Sequence, residues 1–178
     1  VIPVEYFWGV LFVVFALIGA ARGLWKELGV TTLVLLSLFA LRVAWERVGE
    51  QLLPLLQKVP LAETSTANAQ AVYYIVTILF VAYISYEGIT LKFPIKQMGG
   101  IVKGALGLLG GALNGYLIVG TIWDVIAQAN YFQPEVTILS GGLTDLHNTI
   151  VQYLPITFIS EFVFLVLGMI LLLAIVLK

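Results

Sequence analysis

The sequence predicts an all-α polytopic membrane protein of about five transmembrane helices, and three observations carry that expectation. Hydrophobic residues fill 61% of the 178 positions and charged residues only 11%, less than half the roughly 25% usual in soluble domains. Apolar runs of spanning length alternate with short polar stretches. In hydrocarbon the backbone has no solvent partner, so such runs must close their own hydrogen bonds as helices. Glycine, finally, recurs at helical spacing through the segment 99–120, a pattern costly in water at about 1 kcal/mol per glycine against alanine but useful where helices meet in lipid.

The first span is expected at about 4–21, opened by Tyr6, Phe7 and Trp8 at one interface. Its apolar run is too long, and lacks the small-residue site, to read as a signal peptide. A polar turn, Arg22-Gly23-Leu24-Trp25-Lys26-Glu27, leads to span two at about 28–45, with Thr31, Thr32 and Ser37 as weak interhelical donors and Arg42 near its far end. So short a turn implies an antiparallel hairpin. Leucines 52, 53, 55 and 56 among glutamines suggest a short interfacial helix broken by Pro54 and Pro60, followed by a solvated loop with Thr66 or Asn68 as N-cap.

Span three is expected at about 71–87, with Tyr73 and Tyr74 at one end and Tyr83 and Tyr86 at the other as aromatic belts. Span four, about 101–126, is the glycine-rich segment, and pairs with span three as a second hairpin. A polar stretch with Pro134, Gly141, Gly142 and the single histidine, His147, precedes span five at about 155–177; within it 143–153 suggests a second short interfacial helix. The whole chain reads as one membrane domain. Five crossings put Arg22, Lys26, Lys92, Lys96, Lys103 and Lys178 on one side against Arg42, Arg47 and Lys58 on the other. The positive-inside rule then places the amino end outside and the carboxyl end in the cytoplasm.

At 100° per residue, Gly100, Gly104, Gly107, Gly111 and Gly115 fall within an arc of about 80°. That smooth face is the expected packing seam for a partner, either another transmembrane protein or a second copy. Asn114 lies beside it and is expected to find a hydrogen-bond partner across a helix interface. Arg22, Gly23, Lys26 and Glu27 form the densest charged group, read as a cytoplasmic turn with a capacity to touch a partner or an anionic headgroup. Asp124 and Glu161 lie close enough to span ends to reach the interface, and His147 reads as a surface histidine.

A net charge of −1 gives no support for nucleic-acid binding, and the absence of cysteine excludes disulfides and cysteine nucleophiles. No phosphate-binding loop, dinucleotide fingerprint, nucleophile elbow or zinc-protease motif occurs, so no catalytic, cofactor-binding or metal-binding residue is assigned and the chain is not expected to be an enzyme. Whether the aromatic residues hold a pigment, quinone or lipid stays open.

The turn Arg22-Gly23-Leu24-Trp25-Lys26-Glu27-Leu28, followed by the glycine-punctuated segment 107–119 ending in Tyr116-Leu117-Ile118-Val119, resembles the two signatures of the colicin V production protein family, in the same order. The resemblance covers roughly the first 125 residues. Where the family carries an acidic–basic pair and an arginine, this chain has Lys103-Gly104 and Asn114, and its fifth span exceeds the usual four. The resemblance implies a bacterial inner-membrane protein of envelope homeostasis or secretion, acting by helix packing with partners. An accessory structural subunit of a large bioenergetic or photosynthetic membrane complex is the alternative; a small transporter or channel ranks third.

Overall fold

A computed structural model describes residues 3–62, 65–88, 91, 100–132 and 144–177. The described residues are all helix and connection. In chain order they form α1 (Val4–Arg22), α2 (Leu24–Leu56), α3 (Thr66–Glu87), α4 (Gly100–Gln128), α5 (Asp145–Val151), α6 (Pro155–Phe158) and α7 (Glu161–Val176). The first four are long and apolar enough to cross a bilayer, the architecture of a membrane-embedded helical protein.

The segment expected to be span five differs from that pattern. Pro155, with its fixed φ, opens the one-turn α6. Ile159 and Ser160 are then extended, and the chain restarts as α7, 16 residues long. At 1.5 Å per residue α7 covers about 24 Å, short of a hydrocarbon core of about 30 Å.

The polar turn after α1 is also tighter than expected. Only Gly23 is non-helical, at φ +85°, a conformation that glycine adopts without a Cβ penalty. Lys26 and Glu27 therefore already lie in the first turn of α2. At its other end α2 runs through Pro54 to Leu56 without the expected break. A proline there removes one hydrogen bond, and near an exposed helix end the freed carbonyl turns to water. The 33 residues of α2 make about 50 Å of helix, so its last three turns, carrying Glu46, Arg47, Glu50 and Gln51, extend past any apolar slab. Helix α3 begins at Thr66, and its cap is neither Thr66 nor Asn68 but Ser65, whose hydroxyl accepts from the Asn68 N–H at 3.0 Å. Thr144 caps α5 in the same way, accepting from the His147 N–H at 3.0 Å.

Packing between helices departs from two simple hairpins. Although α1 and α2 are joined by one residue, α1 lies chiefly along α4. Trp8 stacks on Trp123 with ring centroids 5.7 Å apart, while Gly19 meets Gly107 and Gly111 two turns or more toward the other end. The two helices are therefore antiparallel. Helix α2 occupies the centre, against α3, α4 and α7, and buries Val30, Val34, Leu35 and Leu38 against Tyr74, Ile78, Leu117, Ile118 and Phe164. On α7, Gly168 receives the Leu36 side chain of α2, and Glu161 sits 3.4 Å from Arg42 Nε.

Candidate functional site

The α1–α2 turn is where charge enters the bundle. Gly23 reverses the chain there, so Arg22 closes α1 and Glu27 faces inward one turn into α2. Gly110 on α4 makes room: a Cβ at that position would stand 2.9 Å from Glu27 Cβ. The Glu27 side chain is consequently fully buried. An unpaired carboxylate in such surroundings would be strongly disfavoured, and here each oxygen is claimed. Arg22 Nε donates to Oε1 at 2.8 Å; Asn114 Nδ2 and the Tyr86 hydroxyl donate to Oε2 at 2.8 and 3.0 Å.

The network closes on itself through the remaining groups. Asn114 Nδ2 also reaches the Glu27 carbonyl at 3.0 Å. The Thr31 hydroxyl lies 2.7 Å from Asn114 Oδ1 and 2.9 Å from the Glu27 carbonyl, so its one proton serves one acceptor at a time. Arg22 Nη1 donates to the Tyr86 carbonyl at 3.1 Å, and its guanidinium lies 4.6 Å from the centre of the Tyr86 ring. Arg22 Nη2 is buried without a hydrogen-bond partner. Side chains from α1, α2, α3 and α4 thus meet around one compensated ion pair.

Outside this knot lies an open depression of about 120 Å³, lined by Arg22, Gly23, Trp25, Lys26, Lys103 and Leu106 among others. The Lys103 stem runs across Gly23, where a Cβ would come within 2.9 Å of its Cε. Gly23 is therefore needed twice, for its φ and for the passage of Lys103.

The glycine row is used from within the chain. Gly19 and Gly23 of the α1 end lie against Gly107, Gly19 and Phe15 against Gly111, and Phe12 and Phe15 against Gly115. Backbone meets backbone at these crossings, which suits a medium where dispersion rather than water drives packing. Gly100 and Gly104, by contrast, have no heavy atom within 4 Å of where a Cβ would sit. Of the row expected to receive a partner, Gly107, Gly111 and Gly115 are covered by α1, Asn114 is turned to α2, and only Gly100 and Gly104 remain open.

Two further polar clusters lie toward the opposite end. Asp124, expected at the interface, is fully buried. It accepts from the Thr157 N–H and hydroxyl and from Gln128 Nε2, each at 2.8 Å, and so holds the first turn of α6 to α4. His147, expected on the surface, is 3% exposed and packs against Trp123 and Tyr131. Burial pushes its pKa below the ordinary value, with the Glu5 charge opposing. Glu5 itself accepts from the Thr144 hydroxyl at 2.5 Å. Tyr131 sits within three consecutive left-handed residues, Asn130 to Phe132. Its hydroxyl accepts from Trp123 Nε1 at 3.1 Å, and burial raises its pKa.

Thr31, expected only as a weak interhelical donor, has that role toward Asn114; Tyr86 is the residue that sequence reasoning passes over, since it resembles any belt tyrosine until its hydroxyl is seen turned inward. Among the described residues no cluster of three or more metal-ligating side chains occurs. Lys92, Lys96 and Lys178, counted for orientation, and Pro134, Gly141 and Gly142 lie outside the described residues. No family model, curated protein or solved structure matches the chain.

Proposed function

We propose that the chain is a non-catalytic membrane protein of the colicin V production type, which acts in envelope homeostasis or secretion by packing against partner membrane proteins. One observation carries this reading. The two segments that bear the resemblance, 22–28 and 107–119, lie some eighty residues apart in sequence yet form one structural unit. Gly23 packs on Gly107, Glu27 fits over Gly110, and Asn114 bonds the Glu27 carboxylate. Such a motif pair supports a structural role, because Arg22 and Glu27 are engaged in holding helices together.

On this reading the end bearing Arg22, Lys26 and Lys103 faces the cytoplasm of a bacterial inner membrane. The amino terminus lies outside, and α7 makes a fifth, thin crossing by locally compressing the bilayer. Extraction of native membranes in mild detergent, followed by native electrophoresis and mass spectrometry, tests the proposal. A discrete assembly with one or more envelope membrane proteins is expected. A pigmented or haem-containing respiratory or photosynthetic assembly would transfer the chain to the accessory-subunit alternative, and a solitary protomer would overturn partner packing altogether.

A further inference from the structure

We infer that the depression over Gly23 is a binding site for the phosphate of an anionic phospholipid headgroup. This goes beyond the scaffold reading and stands without it. Three cationic side chains converge there, Arg22, Lys26 and Lys103, and only Arg22 is neutralised: its Nε pairs with Glu27. Among the described residues neither lysine has an ion-pair partner. The positive end of the α2 dipole faces the same space.

The surroundings favour a lipid over a soluble phosphate. Immediately before Lys103 on α4, Ile101 is 91% exposed and Val102 55% exposed, and Leu109 lies further along the helix at 63%. Leu106 and Trp25 line the depression itself. A headgroup held by the two lysines would therefore lay its acyl chains along an apolar helix flank. Zwitterionic headgroups are disfavoured, since a choline would meet the same cations. Each basic residue near an anionic surface contributes about fivefold in affinity, so the lysine pair is worth roughly thirtyfold.

The test uses the full chain in a neutral maltoside detergent with equimolar phosphatidylglycerol and phosphatidylcholine, and native mass spectrometry to count retained lipids. Wild type is expected to retain one phosphatidylglycerol at least tenfold more often than phosphatidylcholine. The Lys26→Gln/Lys103→Gln variant is expected to lose that preference, while Lys58→Gln, just past the far end of α2, keeps it. Both lysines of the pair are at least partly exposed, so the variant retains its fold; a circular-dichroism melt checks this. Equal retention of the two lipids by wild type, or undiminished preference in the double variant, overturns the proposal. Displacement of the lipid by millimolar inorganic phosphate would keep the phosphate chemistry and overturn the lipid as its source.

Discussion

Replacing Glu27 by leucine should unlock four helices at once. The substitution removes the acceptor for Arg22 Nε, the Tyr86 hydroxyl and one Asn114 contact, while Leu28 and the rest of the apolar lining stay in place. Removing one member of a buried ion pair costs about 3–5 kcal/mol, because the survivor is left charged and unpaired. The Arg22 side chain is 22% exposed and can turn toward water, so the lower limit applies to that part. The stranded Tyr86 hydroxyl adds about 1 kcal/mol. Asn114 keeps the Glu27 carbonyl and adds little. The expected loss is about 4 kcal/mol, read as a shift in the detergent-denaturant midpoint followed by tryptophan fluorescence. Replacing Arg22 by leucine in the same chain should recover about 2 kcal/mol of it, since an apolar pair no longer strands a charge. A Glu27→Leu protein within about 0.5 kcal/mol of wild type, or strictly additive single and double variants, would refute the knot.

Other substitutions separate neighbouring positions that look alike in sequence. Gly111→Leu should destabilise the folded chain by at least about 1–3 kcal/mol, because its Cβ would stand 2.7 Å from Gly19 Cα. A Cβ at Gly104 meets nothing within 4 Å, so Gly104→Leu should change stability by less than about 0.5 kcal/mol; equal melting shifts for the two would contradict this packing. Asp124→Asn should cost about 1–3 kcal/mol by turning an amide N–H₂ toward existing donors, and an unchanged thermal midpoint would count against the Asp124–Thr157 bonds. His147 is held neutral by burial, so its folded pKa lies below the unfolded 6.5. The unfolded chain therefore takes up the proton first. Stability should be unaffected by His147 above pH 6.5, fall as pH drops from 6.5 toward the folded value, and lose that slope in His147→Gln; a slope of the opposite sign would contradict the assignment.

Hydropathy made the four long helices legible, because in lipid an apolar run of spanning length has few alternatives to a closed helix. Glycine spacing likewise marked the face of α4 that receives a close neighbour. The identity of that neighbour was not legible. A wheel projection gives the angle of Gly107, Gly111 and Gly115 but carries no information about which helix arrives, and here it is α1 from the same chain. The depth of Asp124 and His147 was missed for a related reason: Asp124 lies near a predicted span end and His147 in a polar connecting stretch, where water is the default partner, and only the return of α5 and α6 onto α4 covers them. Residues 155–177 read as one span because local hydropathy does not register the extended pair at Ile159 and Ser160.

The absence of cysteine from the chain permits a direct measurement of the α1–α4 seam. Paired cysteines at Phe15 and Gly115 are well placed, because a Cβ at Gly115 lies 2.9 Å from Phe15 Cβ and disulfides form near 3.8 Å, within reach of a small helix adjustment. Oxidation in membranes, followed by proteolysis in the segment joining α3 to α4, should leave the two fragments linked at the mass of one chain. Cysteines at Phe15 and Gly104 should remain unlinked. A band at twice the chain mass in place of the internal link would mean that the glycine face receives a second copy, and would contradict the fold's closing of that seam upon itself.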